Sequence, residues 1–347
     1  MFKEKKVLFF CVKFFGYETV IREKLEDLGA VVHYYDERPK NDLLTKALIR
    51  INKNVVKKSI DEYYKNILKE IEGIEFDYLF IIKAEVTPKW FLETFRQNNQ
   101  KTESVLFLWD SIVNCGNVSN SLHLFDKKYT FDYEDTKQYD LDFQPLFYAQ
   151  SYANIAKDTE YEYDLLFVGT AHTDRYGICK KIEKKCIEFG LNPYFYYFLQ
   201  SPYVFYHKKI FEEGFSRVEK KDISFATLGS SDNIALYQKS NVILDIQHTK
   251  QTGLTMRTLE TLGAARKIIT TNPKVKYYSF YQPENVLIID RNNPIINKVF
   301  FEQDYKAIDK AVLYSYSIEG WLKNMFEPEN MPSYLDEKAY NEAFEML

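Results

Sequence analysis

At 347 residues the chain is long enough for two domains of ordinary size, and with 46% hydrophobic and 28% charged residues it is globular rather than disordered. A net charge of −4 argues against a nucleic-acid partner, which would call for a basic footprint, while local basic patches leave acidic polymers open. The cysteines Cys11, Cys115, Cys179 and Cys186 have no CxxC spacing, no signal peptide precedes Lys3-Glu4-Lys5-Lys6, and no apolar run approaches the roughly 18 residues of a transmembrane helix, so a cytoplasmic protein, soluble or on the inner face of a membrane, is expected.

Val7 to Val12 reads as a strand buried on both faces, as in a parallel sheet. The loop Lys13-Phe14-Phe15-Gly16-Tyr17, a helical pattern to Leu28-Gly29 and a strand from Ala30 to Tyr35 follow, giving a Rossmann-like opening without GxGxxG, so a dinucleotide is not expected there. From Asn41 to Gly73 apolar positions recur at helical spacing, with Lys46, Arg50, Lys53, Lys57 and Lys58 in the first half. That pattern fits either a helix packed on the sheet with solvated lysines, or a basic amphipathic face for anionic lipid or a phosphorylated acceptor.

A third strand, Tyr78 to Ile82, ends in Lys83-Ala84-Glu85, and a fourth, Val105 to Leu108, ends in Trp109-Asp110-Ser111. Glu85 and Asp110 thus stand at strand carboxyl ends, the edge that carries ligands in doubly wound sheets, although a carboxylate there is equally a helix cap or loop acceptor. Asp126 to Asp132 reads as a further short strand. Asp140-Leu141-Asp142 mimics a metal-binding DxD, but without a preceding buried strand no metal is expected. Ser151 to Tyr163 carries no strong period and marks the domain boundary, with a first domain over 1–155 and a second over 156–318.

The second domain opens on the strand LLFVGT after Asp164, followed by Ala171-His172-Thr173-Asp174-Arg175 and a helix. Asn192 to Leu199 and Ile223 to Leu228 are further strands, the latter leading into Gly229-Ser230-Ser231-Asp232 and a helix to Lys239. From Ser240 to Asn272 the chain runs strand (Val242 to Ile246), polar loop, helix bearing Leu254, Leu259 and Leu262, and strand (Lys267 to Thr271). Unpaired amides at such a helix start suit a pyrophosphate, and Gly253, Leu254 and Thr255 lie there, with His248 on the same loop. Arg257 and Glu260, three apart, share a helix face and suit phosphate and sugar diol; the plainer alternative is that they pair with each other on an exposed face. Val286 to Ile289 is a last strand, and Ile295 to Tyr316 reads as two helices.

Glu260-Thr-Leu-Gly-Ala-Ala-Arg-Lys-Ile-Ile-Thr-Thr resembles the E-A-x-A-x-G-x-P-V-x-x-T segment of GT-B glycosyltransferases, whose Glu binds the nucleotide ribose. TGLTMRTLETLGAARKIITTN and FVGTAHTDRY resemble bacterial glycosyltransferases of lipopolysaccharide and capsule synthesis, of the CgeB-like group. One departure is Thr252, where many GT-B enzymes carry another Glu. The resemblance implies α/β architecture of GT-B type, two Rossmann-like doubly wound domains facing across a cleft, with 319–347 returning toward the first domain. It implies a nucleotide-sugar as substrate and transfer to a glycan or lipid-linked acceptor; the lack of a strand-linked DxD beside two phosphate-friendly helix starts adds the expectation of a metal-independent transfer without a cofactor, and the basic amphipathic stretch that of peripheral membrane contact. The residues it implicates are Glu260 on the ribose and Arg175 on the diphosphate; Arg257, Gly253, Leu254, Thr255, His172 and His248 are the further donor candidates, and Asp110 or Glu85, at their strand ends, the candidate base. A nucleotide-sugar epimerase of the same fold and a non-catalytic nucleotide-sugar binder are the alternatives.

Overall fold

The computed structural model describes residues 1–39, 53–115, 118–156, 160–171, 174–212, 215–248, 252–328 and 332–344. The chain forms two compact units, 1–145 with 318–330, and 146–317 with 331–347. The division falls at Pro145 and Leu146, ahead of the polar stretch at which the sequence reading drew it, and the last segment is shared between the units.

The first unit holds one parallel sheet of β1 (Lys6–Phe10), β2 (Val31–Tyr35), β3 (Tyr78–Ile82), β4 (Glu103–Leu108), β5 (Lys127–Thr130) and β6 (Asp142–Phe143), in the order β2-β1-β3-β4-β5-β6. Helices α1 (Tyr17–Asp27), α2 (Lys53–Glu70) and α3 (Lys89–Asn98) make the crossovers. Ile60, Tyr64 and Ile67 of α2 are buried with Leu8, Leu79 and Phe91, so its described apolar stripe packs on the sheet. The basic residues Lys46 and Arg50 lie outside the described residues.

The second unit holds β7 (Tyr163–Thr170), β8 (Pro193–Phe198), β9 (Ile223–Ser224), β10 (Ser240–Asp245), β11 (Lys267–Thr270) and β12 (Val286–Ile288), all parallel in the order β12-β11-β10-β7-β8-β9. Numbered from β7, this is the nucleotide-binding order 3-2-1-4-5-6, whose switch point lies between β7 and β10. Its main helices are α4 (Arg175–Glu188), α5 (Pro202–Phe211), α6 (Ser230–Gln238) and α7 (Met256–Gly263). Beyond it, α8 (Ile318–Phe326) belongs to the first unit, where Trp321 lies 4.9 Å from the Phe107 ring and Phe326 5.2 Å from Phe80.

Candidate functional site

In the second unit the ligand edge is organised by Asp245, the last residue of β10, only 1% exposed. Its Oδ2 accepts from Thr255 Oγ1 at 2.8 Å and Thr258 Oγ1 at 3.0 Å, and its Oδ1 from Arg257 Nη1 at 3.0 Å. Thr255 is the N-cap of α7, its hydroxyl oxygen accepting from the Thr258 N–H, so the strand end fixes where the helix begins. Arg257 also donates through Nη2 to the Val168 carbonyl of β7 and lies over the Phe167 ring at 5.5 Å, bridging the switch point. Burial opposes its charge, but Asp245 outweighs that, and its pKa is raised.

Two further arginines converge on the same edge. Arg175, at the start of α4, donates through Nε to the Ile246 carbonyl at 2.7 Å and through Nη1 to Thr170 Oγ1 at 3.4 Å. Arg291, following β12, grips Asp174 at 2.6 and 3.2 Å and donates to the Gln247 carbonyl at 2.7 Å and Thr271 Oγ1 at 3.2 Å. Burial first, then repulsion from Arg257 working against the pull of Asp245, with a smaller push from Arg291, lowers the Arg175 pKa to about 10. Such crowding of cations favours an anionic ligand in their midst.

Glu260 is 6% exposed and so does not stand on an exposed helix face; Arg257 engages Asp245, and the Glu260 charge also favours the charged form of Arg257. Tyr152 is hydrogen-bonded to Glu260 and accepts from Asn233 Nδ2 at 2.8 Å, while the wholly buried Tyr237 feels the Glu260 charge. Gly253 and Leu254 are buried beside the N-cap, and His248 is partly buried on the loop after β10; His172 lies outside the described residues. Sequence reasoning missed Asp245, Arg291 and Tyr152. A carboxylate closing the apolar run Val-Ile-Leu-Asp was the one local signal.

In the first unit the strand order places the switch point between β1 and β3. The loops leaving both strands are strained, with Phe15 at φ 51°, Lys83 at 83° and Ala84 at 51°. Lys83 sits between Asp110 (2.6 Å) and Glu85 (3.4 Å), and Glu85 is also held by Arg38 at 2.5 Å. Burial opposes the Lys83 charge, yet these two carboxylates outweigh it and its pKa is raised. The Glu85 side chain is 11% exposed and that of Asp110 46%, so of the two expected bases only Asp110 presents its carboxylate openly.

Behind this cluster Glu37 is fully buried; its Oε1 accepts from Val86 N–H at 2.6 Å, Thr87 N–H at 3.2 Å and Thr87 Oγ1 at 3.3 Å, and its Oε2 has no hydrogen-bond partner. Burial raises its pKa to about 7 against the opposing Val86 N–H. Asp140, in the DxD-like triplet, pairs with Lys128 on the surface, and among the described residues no group of three His, Cys, Asp or Glu is arranged to hold a metal.

No family model and no curated protein matches the chain. Among solved structures, a glycosyltransferase from Rickettsia africae ESF-5 is similar with a TM-score of 0.57 at 14% identity, over 98% of this chain and 99% of that one. A UDP-GlcNAc 2-epimerase from Neisseria meningitidis, bound to UDP-GlcNAc, is similar with a TM-score of 0.51 at 10% identity, over 93% and 99%. At these identities the likeness is one of fold: α/β, with two Rossmann-like domains.

Proposed function

We infer from the GT-B fold of this chain, and from the arginine-rich edge of its second sheet, that the protein transfers a sugar from a nucleotide-sugar donor to a glycan or lipid-linked acceptor. The observation that carries the reading is the meeting of Arg175, Arg257 and Arg291 with the start of α7 at the β7–β10 switch point, one helical turn from Glu260. The departing nucleoside diphosphate gains negative charge, which helix-start amides and guanidinium groups stabilise without a metal. Glu260 accepts the ribose hydroxyls, and Asp110, held by Lys83 at 2.6 Å, takes the acceptor proton. Assembly of lipopolysaccharide or capsule is the setting that the sequence resemblance favours. The similarity to a UDP-GlcNAc 2-epimerase supports a second reading, in which the donor alone is converted.

Calorimetric titration with UDP, GDP, CMP and dTDP tests the donor site. One diphosphate is expected to bind clearly, and Glu260→Ala to weaken it at least about tenfold and erase most of its preference over the 2′,3′-dideoxy analogue, on the scale of a charge-assisted hydrogen bond. An unchanged preference in Glu260→Ala removes the ribose role. Incubation of the sugar-linked form without acceptor separates the two readings, since only an epimerase gives a new nucleotide-sugar.

A further inference from the structure

Helix α5 turns an apolar face to solvent. Tyr203, Tyr206, Ile210 and Phe211 are 76%, 51%, 74% and 70% exposed, and with the exposed His207 they recur at i, i+3, i+4, i+7 and i+8, one continuous stripe. Rings line it end to end, Tyr203 to His207 at 6.3 Å and His207 to Phe211 at 4.8 Å. The opposite face, Val204 and Phe205, is already packed with Phe215 and Val218, so the outer stripe is surplus to folding. An ordinary surface helix keeps its apolar stripe for the core.

Charge around the stripe identifies its occupant. Glu212 is engaged by Lys208, Glu219 by Lys221, and Asp222 by Lys180 and Tyr176. Lys209 donates to the Val218 carbonyl at 2.9 Å and Lys220 to the Tyr206 hydroxyl at 3.2 Å, and Arg217 is exposed; among the described residues none of these three meets a carboxylate. A ridge of Ile and Phe, with phenols at its border and beside it cations that meet no carboxylate among the described residues, matches the layered polarity of a bilayer surface, acyl chains below and anionic headgroups above. We propose that α5 lies in the plane of an anionic membrane, seated through Tyr203, Tyr206, Ile210 and Phe211, with Lys209, Arg217 and Lys220 on lipid headgroups. This is independent of the catalytic reading, since α5 joins β8 to the edge strand β9, away from the β7–β10 switch point.

The test is co-sedimentation of the full chain with sucrose-loaded vesicles of phosphatidylcholine alone or mixed equally with phosphatidylglycerol. The wild type is expected to pellet with the mixed vesicles, less at high salt, and Ile210→Ser with Phe211→Ser to lower the partition coefficient at least about tenfold. Lys209→Glu with Lys220→Glu is expected to abolish the preference for the anionic mixture. Both pairs lie on the surface, and circular dichroism checks the fold. A Tyr206→Trp reporter, its emission shifted to the blue and quenched by brominated acyl chains, reads the same contact while keeping the apolar surface. Absence of vesicle binding by the wild type, or equal binding by wild type and the serine variant, overturns the proposal. So does a wild-type dimer that the serine variant converts to monomer without any vesicle binding, which would make the stripe a protein interface.

Discussion

Glu37 is a carboxyl group with one oxygen fully loaded and the other bare, inside the wall that supports Lys83 and Glu85. Its folded pKa, about 7, stands above the ordinary 4.5, so the folded chain holds a proton that the unfolded chain releases between those values. That contribution to stability is complete below the unfolded pKa and is lost as pH rises through the folded one. Glu37→Gln keeps an acceptor for the Val86 and Thr87 amides and removes the titration. We expect the variant to gain in Tm relative to the wild type as pH goes from about 5 to about 8; a difference that stays flat across that interval would mean that Glu37 is ionised in the folded protein throughout. At this scale the sequence was least legible. Glu85 and Asp110 could be placed at strand ends from the apolar runs before them, but Lys83 reaches Asp110 from the exit of β3 and Arg38 reaches Glu85 from the exit of β2, pairings across strands that the sequence does not show. Likewise Asp245 finds Arg257 twelve positions on, a pairing that no local spacing announces.

Elements were far more legible, because a buried parallel strand is written as an unbroken apolar run. Tyr78–Ile82 lies where it is expected, and β7, β10 and β11 fall within a residue or two of their predicted bounds. Helix α5 went unread for the reason that makes it interesting: apolar on both sides, it has no inward-facing period to detect. Helix α7 carries a sharper lesson in Gly263. A Cβ there would lie 2.5 Å from Cγ of Tyr148, which cannot retreat, since its N–H donates to the Tyr316 carbonyl and its hydroxyl to the Leu313 carbonyl, both at 2.9 Å. Gly263→Ala should therefore destabilise the second unit by about 1–3 kcal/mol despite the better helix propensity of alanine, measured by urea denaturation. Adding Tyr148→Ala should relieve the worst of the clash, removing the ring atoms at 2.5 and 2.6 Å and leaving the Cβ at 2.9 Å, so that the two substitutions are non-additive. Additive losses would rule out the close approach as the cause.

At the scale of the whole molecule the fold class could be read from alternating strands and helices, but the way the tail is shared could not. Two aromatic contacts, Trp321 to Phe107 and Phe326 to Phe80, make α8 part of the first unit's core, while residues 331–347 rejoin the second. A chain ending at Ser317 would leave Phe2, Phe80 and Phe107 without that cover. We expect it to bind 8-anilinonaphthalene-1-sulfonate strongly and to lose soluble yield, whereas a chain ending at Glu327 should keep the first unit native by near-ultraviolet circular dichroism. Native signal in the shorter chain would show α8 to be dispensable.

That late helix also sets a clock on biosynthesis. Pro145 leaves the ribosome roughly 180 residues before Phe326, which at roughly 5–20 residues per second is on the order of ten to forty seconds. Throughout that interval Phe2, Phe80 and Phe107 lack the cover of α8, leaving an apolar face of the kind that chaperones bind. The discontinuous core thus ties completion of the first unit to the synthesis of α8, roughly 180 residues after Pro145.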